Sequence, residues 1–117
     1  MDIDIEKLFE KRIEEKKPFQ IVFCHQSQQD LSQLSKAVQF QILDCLEMIP
    51  EVLSNPHSDC LSKAERDNRI LYRFRCKEYR IYFEKTDYGV LVQRILLKNT
   101  LADFLFRSNL TFSDTNP

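Results

Sequence analysis

Between Leu71 and Lys98 the chain alternates apolar and charged side chains in a way that only a sheet can use. Tyr72, Phe74 and Cys76 fall on one side of a strand, and Arg73, Arg75 and Lys77 on the other. After a turn at Lys77–Glu78 the alternation resumes, with Tyr79, Ile81 and Phe83 opposed to Arg80, Tyr82 and Glu84. Strand side chains change face at every residue, so two such strands build an apolar core side and a cationic side from one sheet. A helix would scatter the same residues around its circumference.

Charge is distributed to match. The formal net charge is -1, yet residues 69–98 carry eight basic and three acidic groups, while residues 18–68 carry three against seven. A positive sheet beside a negative helical part points to a polyanion or an acidic partner. With 117 residues and 43% apolar composition there is enough chain for one core. Cys24, Cys45, Cys60 and Cys76 form no CxxC pair, and Cys24, Cys45 and Cys76 sit in apolar patterns that suit buried reduced thiols. With His25 and His57 as the two histidines, neither a zinc site nor any other cofactor is expected. The charged N-terminus resembles no signal peptide, and no apolar run reaches membrane-spanning length, so a cytoplasmic protein without membrane association is expected.

The rest of the pattern completes an α+β fold. Residues 2–17 read as an N-terminal helix, with Ile5, Leu8, Phe9 and Ile13 on one stripe that needs cover from the domain itself or from a partner. Phe19–Phe23 reads as a first strand. Ser27, with Asp30 three residues on, predicts the cap of a short helix, and Ser35 the cap of a longer one. The longer helix carries a stripe from Val38 through Ile42, Cys45, Leu46 and Ile49, and Pro50 should bend it or end its regular part. Residues 54–69 read as a polar connection. Strands follow at about 70–76, 79–84 and 90–97, with Gly89, the chain's single glycine, in the turn before the last. Asn99 or Thr100 can cap a short final helix containing Leu101, Phe104 and Leu105. The expected architecture is a four-stranded, mainly antiparallel sheet with a two-helix layer on one face, its basic face open. Residues 1–17 form an extension, 18–110 the domain and 111–117 a flexible tail.

Six cations stand out: Arg73, Arg75, Lys77, Arg80, Arg94 and Lys98. Guanidinium groups fork onto phosphate oxygens, and several on one sheet can hold a nucleic-acid backbone. Tyr72, Tyr79, Tyr82 and Tyr88 would add base stacking where exposed. The same cations also suit a solvated sheet face paired with Glu78 and Glu84. Obvious proton-transfer machinery is sparse, and one glycine cannot make a phosphate loop.

From Phe19 to about Arg107 the sequence resembles the RelE/ParE superfamily of small bacterial toxins. The run Leu71-Tyr72-Arg73-Phe74-Arg75-Cys76-Lys77-Glu78-Tyr79-Arg80-Ile81-Tyr82-Phe83-Glu84 looks like that family's two central strands, with its Tyr–Arg pair opening the second. The ending Lys98–Arg107 is similar to that of cyanobacterial members. The resemblance implies a toxin of a toxin–antitoxin pair, a metal-free endoribonuclease acting on ribosome-bound messenger RNA and held by an antitoxin or other acidic protein. It implies Arg80 as the central phosphate-binding residue, Arg73 and Arg75 as the basic positions of the preceding strand, and Lys98 assisting. Lys77, Tyr79, Tyr82 and Arg94 would contact RNA or partner. Where many members place proton-transfer groups after the last strand, this chain has Leu97, Lys98 and Phe104. Losing one such group commonly costs about 10² to 10⁴ in rate. A non-catalytic binding module on the same scaffold and a gyrase poison of ParE type are the alternatives, and oligomerisation through residues 2–17 is open to all three.

Overall fold

The computed structural model describes residues 18–55, 58–108 and 110–112. The helix expected over residues 2–17 and the loop residue His57 lie outside that range. The elements run β1 (Gln20–Phe23), α1 (His25–Ser32), α2 (Lys36–Glu47), α3 (Ile49–Ser54), β2 (Leu61–Arg66), β3 (Arg69–Cys76), β4 (Tyr79–Thr86), β5 (Gly89–Leu97), α4 (Leu101–Ser108) and β6 (Thr111–Phe112). The sheet order is β1-β5-β4-β3-β2-β6, with β1 parallel to β5 and every other pair antiparallel.

The α+β class holds, but the four expected strands become six among the described residues. Leu61–Arg66, expected as polar connection, is a strand paired along its whole length with β3. Its hairpin turns on Asp67 and Asn68, both at positive φ (51° and 64°), a conformation that short polar side chains tolerate. Thr111 and Phe112 pair with Glu65 and Ala64, which corrects the first two residues of the expected tail.

Why the central strands form is clear from what they bury. Phe74, Ile81, Phe83, Val90 and Val92 pack with Ile42 and Leu46 of α2 and Ile49 of α3. Each such side chain contributes roughly 1.5–3 kcal/mol by leaving water. Ser35 caps α2 as expected, its hydroxyl accepting from Val38 N at 3.3 Å. Pro50 ends the regular part of that helix, and α3 restarts with the proline in its first turn.

Two expectations near the N-terminus are corrected. Ser27 is not a cap but a buried residue inside α1, and its hydroxyl donates to Val92 O at 2.8 Å. Asp30 closes no capping box. It accepts from Arg94 Nε at 2.8 Å, Arg94 Nη2 at 3.2 Å and Ile95 N at 3.0 Å. β1 pairs with β5 only as far as Val92, and beyond that point α1 side chains satisfy the β5 backbone in place of a strand.

Cys45 and Cys76 are joined in a disulfide between α2 and β3, with Cα atoms 5.9 Å apart. This overturns their reading as reduced thiols. The two patterns that made each residue look like an apolar core position bring them face to face. Cys24 and Cys60 remain thiols. Among the described residues no helix is long and apolar enough to cross a membrane.

Gly89 stands at φ +150°, opposite Gln20, where an added Cβ would come within 2.7 Å of Gln20 N and closer still to its carbonyl oxygen. Gly89→Ala is expected to cost about 2 kcal/mol or more through this overlap and the strained backbone, read as a lower urea midpoint with unchanged m-value.

Candidate polyanion-binding site

The three arginines converge. Register places Arg75 directly across from Arg80, and Arg73 across from Tyr82, all on the face away from α2 and α3. A two-residue turn sets that register, with Lys77 at φ 53° and Cys76 paired to Tyr79. Arg80 is half-buried, and its Nη1 donates to Lys77 O and Tyr79 O, each at 2.9 Å. Its buried Nε has no hydrogen-bond partner among the described residues. Burial and the neighbouring charges of Arg73 and Arg75 hold the Arg80 guanidinium below its ordinary pKa, with Asp103 and Tyr82 opposing. The physical content is crowding of like charge at a partly dry spot, which an incoming anion relieves.

The sequence suggested an open face; in the structure it is covered. α4 lies over its middle, and Phe106 and Leu110 pack against Leu71, Tyr82 and Leu96. The anchor is polar. Tyr82, fully buried, donates its hydroxyl to Asp103 Oδ1 at 2.6 Å, and Asp103 is itself only 1% exposed. Thr100 caps the helix by accepting from Asp103 N at 3.2 Å, and Arg107 stands 3.6 Å from the carboxylate. Desolvation, followed by the hydrogen bond and charge of Asp103, pushes the Tyr82 hydroxyl well above its ordinary pKa, while Arg73 pulls the other way. Tyr82 therefore stays protonated and serves as a fixed donor. On α4, Leu101 (72%), Phe104 (57%) and Leu105 (53%) face outward.

The other candidate residues divide. Lys98 lies at the margin of the patch, where Nζ pairs with Glu78 at 3.2 Å. Lys77 is exposed in the turn. Tyr79 packs on the helix-covered face. Arg94 is removed from the patch by its two-pronged pairing with Asp30. Tyr82 offers no open face for a base, nor does Tyr72, which is buried and stacked on Phe83 at 5.3 Å. Tyr88 is partly exposed in the β4–β5 turn. Asp103 is the site residue that sequence reasoning missed. Its signal was the position three after Thr100, a candidate cap.

No family model matches the sequence, and no curated protein sequence matches it. Among solved structures the fold is similar to a chain from the RelB–RelE antitoxin–toxin complex of Methanococcus jannaschii. The two are 20% identical over 71% of this chain and 96% of that one, with a TM-score of 0.48. A likeness of this degree assigns neither family nor activity.

Tyr82→Phe is expected to lower stability by about 1.5–3 kcal/mol near neutral pH, because it strips a buried carboxylate of its donor. The sign with pH follows from the raised pKa. The contribution is whole below the ordinary tyrosine value of 10.0 and is lost as pH rises above it, where only the unfolded chain releases the proton. Urea unfolding at increasing alkaline pH should show the gap between native and Y82F proteins narrowing above that value.

Proposed function

We propose that this chain is a RelE-like toxin of a toxin–antitoxin pair, binding messenger RNA on the ribosome across Arg73, Arg75 and Arg80 and cleaving it. The observation that carries the reading is the pairing of Arg75 with Arg80 beside Arg73 on one sheet face, where burial and then the two neighbouring charges depress the Arg80 pKa. Unlike charges set directly opposite would stabilise a sheet, whereas like charges there cost stability. Such an arrangement makes sense where an anion is to be held.

In this reading the RNA 2′-hydroxyl attacks the adjacent phosphorus as the bond from phosphorus to the 5′-oxygen breaks, leaving a 2′,3′-cyclic phosphate. Water takes the hydroxyl proton and protonates the departing oxygen, and the arginines stabilise the charge that grows on the phosphate oxygens. The exposed Arg75 guanidinium would supply forked donors to those oxygens, while Arg80, its Nε buried, would act through its charge. Arg73, beside the Tyr82 hydroxyl, would be steadied by the Tyr82–Asp103 pair. Lys98 would add charge at the margin in exchange for its exposed contact with Glu78. An acidic antitoxin would neutralise the same patch by covering it.

A second reading, binding to RNA or an acidic protein without cleavage, is favoured by one specific feature. Asp103, the carboxylate beside the patch, is almost wholly buried and committed to Tyr82, so it is poorly placed to take a substrate proton. The two readings part on one experiment: purified protein is added to programmed ribosomes, and the message is mapped for new ends. The toxin reading expects discrete cuts that fall about 10²–10³-fold in rate with Arg80→Ala. Bound but intact message would support the second reading.

Both readings share a binding expectation. In single-stranded RNA titrations at several salt concentrations, Arg75→Ala should reduce the slope of log affinity against log salt by about 0.7. Arg94→Ala should leave that slope unchanged. An equal effect from both substitutions would argue against the patch.

A further inference from the structure

We propose that Cys45 and Cys76 form a reversible redox clamp that fastens the helical layer to the hairpin carrying Arg75 and Arg80. Cys76 lies on β3 between Arg75 and Lys77, and its strand partner is Tyr79, the residue before Arg80. Its side chain points to the helix-covered face, 2% exposed, while Arg75 projects from the opposite face. Cys45 sits on α2 beside the buried Ile42 and Leu46 and is half-buried. The bond spans a sequence separation of 31, so it closes a loop containing α3, β2 and nearly all of β3. It is the one disulfide among the described residues, with Cys24 and Cys60 left as thiols.

The uneven burial of the two residues dictates how the clamp opens. A small thiolate reaches the half-buried Cys45 Sγ, forms a mixed disulfide there and expels Cys76 as a thiolate, which takes up a proton. A second thiolate attacks the outer sulfur of the mixed disulfide, forming a low-molecular-weight disulfide and releasing Cys45 as a thiolate that is protonated in turn. Two electrons pass to the protein and two small thiols become one disulfide. Closure is the reverse exchange with glutathione disulfide as oxidant. Opening restores the freedom of the closed loop to the unfolded chain and removes the covalent tie behind the hairpin. Any effect on RNA rests on the reading above; the clamp itself does not.

The test uses the full chain equilibrated with glutathione disulfide or with excess reduced glutathione. Alkylation under denaturing conditions, counted by mass, should label two thiols in the oxidised protein and four in the reduced one. A Cys45–Cys76 cross-linked peptide should be present only in the oxidised protein. Hydrogen exchange at residues 72–82 and 38–47 should be roughly tenfold or more faster after reduction, with the melting temperature down by about 10 °C. Cys24→Ser/Cys60→Ser should keep this response, and Cys45→Ser/Cys76→Ser should exchange like the reduced protein in either buffer. Four thiols after oxidation, or identical exchange in the two buffers, would overturn the clamp. If exchange responds while neither form binds RNA, the clamp stands and the RNA reading fails.

Discussion

The register of the β3–β4 hairpin is the constraint on which the rest depends. With Cys76 against Tyr79, every second pair along the two strands is apolar and meets the helices, and every other pair is polar and meets α4 or solvent. A slip of one residue would turn the arginines into the core and Phe74 into water. The hydrophobic face therefore enforces the juxtaposition of Arg75 and Arg80, which on its own would be repulsive. Core packing on one side of the sheet supplies the free energy that holds like charges together on the other.

That logic was legible in the sequence because a strand's period of two leaves no ambiguity when both faces have a strong character. It was not legible for β2. Ser62, Lys63, Ala64 and Glu65 have little strand preference and no apolar alternation. That segment is strand because β3 offers it a full edge of backbone partners. The turn residues Asp67–Asn68 were the available signal, being two short polar residues fit for positive φ between flanking strands.

Polar residues misled for the opposite reason. Ser27 and Asp30 have the spacing of a helix cap, but tertiary structure claims them for the flank of β5. Tyr82 read as a stacking ring, yet it is buried with its hydroxyl on the equally buried Asp103. Pairs that satisfy one another only across a fold leave no trace in local pattern. The cysteines show the same thing: two core-like positions on separate elements gave no hint of their 5.9 Å Cα spacing.

The substitution of α1 side chains for a strand along β5 also makes the molecule lopsided as a template for other chains. On that side, the Ser27 hydroxyl and the Asp30 carboxylate already occupy the groups with which a foreign strand would zip. On the other, among the described residues, β6 pairs with β2 at Ala64 and Glu65. The stretch of β5 beyond Val92 is closed to intermolecular strand addition, the usual route from a folded sheet to an aggregate.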